Sequence, residues 1–198
     1  MANPETYIGY KGYSIWKSSI SVDDQQFIRN SLMVRPYIPG SPIKSEAFPI
    51  YRESPKKLYL PKFFGIQHYG EPLEIKISDG DNINVNFLGE LRDYQTNIIN
   101  IFMKNIDEHN GGLLEIPCGR GKTVLAVHLI AKLKKKTLVI VHKEFLLNQW
   151  IERINQFLPN AKIGKIQGQT IDIEDKDIVI GMLQSLSMKE YPEDQFSS

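Results

Sequence analysis

The sequence predicts an α/β fold, a parallel sheet carrying a phosphate-binding loop, preceded by a small mixed α+β module. Three observations predict it. Leu113-Leu-Glu-Ile-Pro-Cys-Gly-Arg-Gly-Lys-Thr-Val-Leu-Ala-Val127 reads as a buried strand, a glycine turn and a helix start. After it, apolar strand-like runs alternate with amphipathic helical stretches, and alternating β and α elements make a right-handed parallel sheet with ligand at the carboxyl ends of its strands. Residues 1–88 differ from this pattern, holding most of the prolines and many aromatics but few long apolar runs. The predicted division is therefore 1–88 and 89–198.

Length and composition set bounds. A chain of 198 residues can bury one large core or two small ones. With 41% hydrophobic and 24% charged residues it has the composition of a soluble globular protein, and no apolar run approaches the length of a bilayer span. The N-terminus lacks the basic and apolar segments of a secretion signal, which predicts an intracellular protein without membrane contact. Its single cysteine, Cys118, forms no internal disulfide and has no paired histidine, so it reads as a small side chain in a tight turn. A formal charge of +1 means that any nucleic-acid contact must come from local placement of Lys and Arg.

In the first module, Tyr7–Trp16 reads as a strand or hairpin, and Ser21-Val-Asp-Asp24 as a helix cap leading into Gln25–Met33. The closely spaced prolines of Val34–Pro42 predict a loop. Lys57–Gly65 reads as an aromatic-rich strand ending in a turn, and Leu73–Ile77 with Ile83–Phe87 as a hairpin around Asp79-Gly80-Asp81. Lys56, Lys57, Tyr59, Lys62, Phe63 and Phe64 mix cations with aromatics, as a strand-binding surface does. Core aromatics with solvated lysines explain the same pattern. His68 has no neighbour at metal-ligand spacing and reads as structural or solvated.

The character changes at Phe87–Gln95. A helix with apolar Ile98, Ile99, Ile101, Phe102 and Ile106 follows, and Asn110-Gly-Gly112 stops it. After the loop, Val124, Leu125, Val127, Leu129, Ile130 and Leu133 supply a helix face, and Lys132–Lys136 places cations at its C-terminus, where the helix dipole favours them. Thr137–Val141 is continuously apolar, as a strand covered on both faces is. His142–Trp150 opens an amphipathic helix that Pro159 ends, with Trp150 assigned to the core. Lys162–Ile166 and Asp177–Gly181 are the next strands.

The loop itself carries the chemistry. Gly119 and Gly121 allow a tight turn, so that successive N–H groups and the positive helix end converge on an anion. Lys122 then reaches the β- and γ-phosphates and the Thr123 hydroxyl reaches Mg²⁺. The bare pattern G-x-G-K-[ST] arises about once in a hundred chains of this size, so the flanking strand and helix carry the assignment. Two readings of Gln95 stay open on spacing alone: a polar residue in a first helical turn, or a planar amide that reads adenine through one donor and one acceptor. Lys143 reads as surface charge and Ser185 as a helix N-cap. With Gln184 they fall on the sheet edge that holds the loop, where together they suit the phosphates of a bound strand.

These segments resemble the opening part of a superfamily 2 DNA helicase of the UvsW and xeroderma-pigmentosum-B type, in particular the versions carried by large DNA viruses. Leu91–Gln95 resembles the adenine segment, Pro117–Thr123 motif I, Leu138–Trp150 motif Ia, and Ile178–Leu186 the segment ahead of the acidic box. The resemblance covers residues 88–198, and the first module stands where such helicases carry an accessory DNA-engaging domain. It implies an incomplete first RecA-like lobe that uses ATP and Mg²⁺. The implied ATP contacts are Arg92, Gln95, Pro117, Cys118, Gly119, Arg120, Gly121, Lys122, Thr123 and Val124, with Lys122 and Thr123 catalytic and Thr123 on the metal. The implied strand contacts are Lys143, Gln184 and Ser185. The partner is DNA, single-stranded or at a duplex junction, or RNA. Motif Ia departs from the usual Pro-Thr in having His142-Lys143.

The family's acidic box and second lobe do not occur in these 198 residues. The expectation is that this polypeptide alone turns over ATP negligibly, the remaining lobe being supplied in cis or in trans. Two other readings compete: a non-catalytic module that binds nucleic acid or protein, from a truncated helicase gene, and another phosphate-loop enzyme such as a small kinase. Against the kinase stands the lack of an acidic residue on the following strands near the loop.

Overall fold

The computed structural model describes residues 5–37, 39–40, 45–189 and 191. The chain divides into two compact units, Met1–Asp79 and Gly80–Ser198. Part of the proline-rich Val34–Pro42 stretch and the last residues, 192–198, lie outside the described residues.

The first unit runs β1 (Thr6–Gly9), β2 (Gly12–Trp16), α1 (Val22–Ser31), β3 (Met33–Val34), β4 (Phe48–Pro49), β5 (Arg52–Glu53), β6 (Lys57–Leu60), α2 (Lys62–Tyr69) and β7 (Glu74–Ile75). Its main sheet has the order β5-β6-β2-β1-β7, antiparallel except where β7 joins β1 in parallel. Tyr10 and Lys11 form the tip of the β1–β2 hairpin. Gly12, at φ +96°, is confined to glycine there, because a Cβ would stand 2.5 Å from the Leu60 carbonyl. Ser21 starts α1 as read from the sequence: its hydroxyl accepts from the Asp24 N–H, and the Asp24 carboxylate accepts from the Ser21 N–H.

Alternation puts Ile8, Tyr13, Ile15, Leu58 and Leu60 on one face of the sheet, where Ile28 and Leu32 of α1 bury against them. Each such side chain contributes roughly 1.5–3 kcal/mol. α2 seats its Gly65 on the Tyr13 ring, whose hydroxyl donates to the Gly70 carbonyl at 3.0 Å. The strand read through Lys57–Gly65 is thus corrected: it stops at Leu60, and Pro61, with φ fixed near the helical value, caps a helix whose Phe64, Ile66 and Tyr69 join the core.

The second unit runs α3 (Asp93–His109), α4 (Lys122–Leu133), β8 (Thr137–Val141), α5 (Glu144–Phe157), β9 (Ile163–Gln167), β10 (Thr170–Asp172), β11 (Ile178–Met182) and α6 (Leu183–Met188). Its sheet has the order β10-β9-β11-β8, with β9, β11 and β8 parallel. β10 returns antiparallel on β9 around Gly168, at φ +57°. Val127, Ile130 and Ala131 of α4 and Leu147, Ile154 and Leu158 at α5 pack with Val141, Ile178 and Ile180 of the sheet, and α3 adds a smaller cluster through Ile99 against Leu125 and Leu129. The buried Nδ1 of His128 finds no partner among the described residues. The ring packs edge-on to Phe87, and burial, reinforced by Lys132, pushes its pKa down.

Three sequence expectations change here. The hairpin of residues 73–77 with 83–87 does not form: β7 pairs with β1, while Ile83 and Val85 enter the core of the second unit and the Ile83 N–H donates to the Lys134 carbonyl. Residues 80–88 therefore belong with the second unit, and the division falls at 79/80 instead of 88/89. Leu113–Ile116 is not a buried strand, since Leu113 is 91% exposed and the segment joins no sheet. A strand needs a partner's ladder. Among the described residues none flanks this segment, and β8, at the end of the sheet, leaves Leu138 and Ile140 exposed.

Candidate nucleotide-binding site

α4 begins at the glycine loop and returns to the start of β8. At 1.5 Å per residue it is about 18 Å long, close to the span of β8, so its N-terminus lies at the carboxyl edge of the sheet. Gly119 and Gly121 have φ of +77° and +81°. A Cβ at Gly119 would meet nothing within 4 Å, so backbone conformation alone selects glycine there. At Gly121 space selects it as well, because a Cβ would stand 2.6 Å from Gln95 Nε2. The first N–H groups of α4 have no partner within the helix, and the helix end that carries them is the positive one, which suits an anion.

The start of α3 is tied to this loop. Gln95 is 6% exposed; its Oε1 accepts from the Arg92 N–H at 3.0 Å and its Nε2 donates to the Arg120 carbonyl at 3.2 Å. The Tyr94 hydroxyl donates to the same carbonyl at 3.2 Å, and the Arg120 guanidinium lies 5.5 Å from the Tyr94 ring centre. Sequence reasoning gave Tyr94 no role, although its place beside Gln95 was the available signal. The two Gln95 bonds use one of its two N–H groups, so the amide keeps a donor and acceptor capacity for a base edge.

Lys122 occupies the first turn of α4. Its ammonium donates to the Ile116 carbonyl at 2.5 Å and lies 4.0 Å from the Cys118 thiol, so it is folded onto its own loop. Thr123 is half-buried beside it, Pro117 and Cys118 are exposed, and Val124 is half-buried. Arg92, exposed at the start of α3, meets the loop through Gln95. Among the described residues no group of three or more His, Cys, Asp or Glu could hold a metal ion. A Mg²⁺ here would rest on the Thr123 hydroxyl and the nucleotide's own oxygens.

Lys143, Gln184 and Ser185 follow the carboxyl ends of β8 and β11, which are adjacent. Gln184 Nε2 donates to the His142 carbonyl at 3.0 Å, joining the two loops directly. Ser185 is not the helix N-cap read from the sequence. Met182 holds that place, and the Ser185 hydroxyl accepts from the Gly168 N–H at 2.9 Å. Asp177 sits at the opposite end of β11, its carboxylate accepting from the Lys162 N–H. The cation–aromatic cluster of the first unit is divided. Phe64 enters the core, and Lys57 turns onto Tyr7 and Trp16, donating to the Tyr7 hydroxyl at 3.0 Å.

A glycine loop thus opens a helix at the carboxyl edge of a parallel sheet, with an upstream Gln buried against it, an arrangement that fits the first lobe of superfamily 2 helicases. The family model described as "Type III restriction enzyme, res subunit" matches residues 88–198, and the chain belongs to that family. A protein of Acanthamoeba polyphaga mimivirus named as an ATP-dependent RNA helicase is 33% identical over 98% of this chain. The chain spans 38% of that relative's length. The DNA 3'-5' translocase XPB2 of Sulfurisphaera tokodaii is 38% identical over 35% of the chain and 15% of its own length. Among solved structures, a Sulfolobus solfataricus SWI2/SNF2 ATPase core in complex with dsDNA is similar at a TM-score of 0.47 and 23% identity, over 55% of this chain and 24% of that one. Among the described residues no helix is long and apolar enough to cross a membrane.

Proposed function

We propose that this chain is the ATP-binding part of an ATP-dependent nucleic-acid helicase or translocase, working inside the cell. The observation that carries the reading is the union of Gln95 with the Arg120 carbonyl beside a glycine loop in left-handed conformation. In this reading an adenine contact and a phosphate contact share that one connection. In this reading the α- and β-phosphates lie on the amides of Cys118–Lys122, and Lys122 exchanges the Ile116 carbonyl for phosphate. Thr123 holds Mg²⁺, which supplies charge neutralisation at the phosphates. Gln95 reads the base. A single strand runs over Lys143, Gln184 and Ser185, held through its phosphates; the names of the relatives include both an RNA helicase and a DNA translocase.

The first unit acts as an accessory module in this scheme. Turnover requires an acidic group to position water and a second lobe, in cis or in trans. The test is calorimetric titration of ATP and GTP into the 198-residue chain with Mg²⁺, followed by an assay of phosphate release with DNA or RNA. Saturable binding that favours ATP about tenfold or more, with negligible release, is expected. Equal binding of both nucleotides, or hydrolysis at ordinary helicase rates by this chain alone, would contradict the reading.

A further inference from the structure

We propose that the helix-free face of the first unit's sheet is a second binding site, for single-stranded nucleic acid, with unpaired bases stacked on its aromatic rings. Both helices of the unit pack on the core face, through Ile28 and Leu32 of α1 and Phe64 of α2. The opposite face is read directly from the register. Tyr7 stands opposite Ser14, Ser14 opposite Tyr59 and Tyr59 opposite Arg52, so these four form one row across β1, β2, β6 and β5. Trp16 and Lys57 form the next row. Glu53, the neighbour of Arg52, points to the core face, where Lys17 and Arg29 bind its carboxylate at 2.6 and 2.7 Å.

The chemistry of this face is that of stacking platforms for single strands, where rings take bases and nearby cations take phosphates. A cleft of 470 Å³ at the edge of this face is lined by Tyr10, Lys11, Arg52 and Tyr59, with Tyr51, which packs on the core, and Lys62 of α2 on its other side, and none of its lining residues is a carboxylate. Its size falls in the range of about 300–1,000 Å³ that holds small organic ligands, which suits one or two nucleotides. A second cleft of 380 Å³ holds Tyr7, Trp16, Lys57 and Lys76 together with two carboxylates, Glu5 and Glu74, of which Glu74 is paired with Lys76 at 3.0 Å. Cations already lie over the rings: Lys57 is 4.0 Å from the Trp16 ring centre, Lys76 is 4.6 Å from that of Tyr7, and Lys11 is 5.5 Å from that of Tyr59. A base arriving on a ring displaces the ammonium toward its phosphate. Duplex DNA offers no unpaired base faces to such a surface, which selects single strands.

This site goes beyond the reading of the second unit and uses none of its residues. The test is fluorescence anisotropy of the 198-residue chain with a labelled oligodeoxythymidylate of about 12 nucleotides, without ATP, against the same length as a duplex. Charge reversal at exposed positions, Lys11→Glu with Arg52→Glu, leaves the core untouched and is expected to weaken single-strand binding tenfold or more. Tyr59→Ala is expected to weaken it five-fold or more, and Tyr59→Phe to restore it to within two-fold. Photo-crosslinking with a bromouracil-substituted oligonucleotide is expected to label peptides carrying Tyr10 or Tyr59. Unchanged affinity in Lys11→Glu/Arg52→Glu, together with loss of binding in Lys143→Glu, would overturn this site while leaving the sheet-edge site standing. Duplex binding as tight as single-strand binding, or an acidic phosphopeptide competing at equal concentration, would overturn it as well.

Discussion

Gln95 shows how much one side chain holds. Buried at the start of α3, it bonds the Arg92 N–H and the Arg120 carbonyl, and its Nε2 would stand 2.6 Å from a Cβ at Gly121. Gln95→Ala leaves the Arg92 N–H unpaired and the Arg120 carbonyl with the Tyr94 hydroxyl alone, at about 1–3 kcal/mol. The expected result is a lower thermal midpoint and a loss of discrimination between ATP and GTP, read by calorimetry and nucleotide titration. A variant that unfolds earlier yet still prefers ATP tenfold would leave Gln95 a structural tie alone. Glu53 supplies a separate, pH-dependent contribution. Its hydrogen bonds with Arg29 and then Lys17 hold its pKa down at about 2, against an ordinary 4.5. Because the folded value is the lower one, the stabilisation is fully present above pH 4.5 and is lost as pH falls from there toward 2. Glu53→Gln is expected to cost about 1 kcal/mol at neutral pH, a modest figure because the pair is partly solvated. The difference from the parent chain should shrink through that acid window in urea titrations, and a difference independent of pH would contradict the assignment.

At the scale of elements, the firmest features are those where a missing side chain is part of the packing. A Cβ on Gly65 would stand 2.1 Å from the Tyr13 ring, so α2 cannot seat on β2 with anything larger than glycine. Gly65→Ala is expected to destabilise the first unit by at least the 1–3 kcal/mol typical of overpacking. Hydrogen exchange resolved by peptide should show faster exchange in β2, β6 and α2 with little change in β9 and β11. Uniform acceleration through both units would show instead that they unfold as one. Helices with caps and periodic apolar faces were legible: Ser21 and Asp24 start α1, and Leu147 and Ile154 fix the face of α5. Partnerships between distant segments were not. Ile83, Val85 and Phe87 alternate as a hairpin strand does, and only tertiary contact reveals that they serve the core below α4 and α5. Lys62–Phe64 carries strand-like aromatics, yet Pro61 and the need to cover Tyr13 make it a helix. β10, three residues all exposed, gave no periodic signal.

For the whole molecule, the turn of the glycine loop was legible where the pairing of distant elements was not. Gly119 and Gly121 announce a left-handed turn because backbone chirality dictates glycine there, whatever surrounds it, and both take positive φ. The Tyr94 and Arg120 contact and the row Tyr7, Ser14, Tyr59 and Arg52 depend on which elements meet, which no local pattern encodes. The family match covers residues 88–198, within the second unit. The central claim is that nucleotide lies on the amides of the loop. Amide hydrogen exchange of the 198-residue chain with and without Mg²⁺ and ATP tests it directly. The account predicts slowed exchange confined to peptides spanning residues 117–125, with a smaller effect around Gln95, and loss of both in Lys122→Ala. Saturating ATP that leaves residues 117–125 unchanged, or protects them equally in Lys122→Ala, would contradict it.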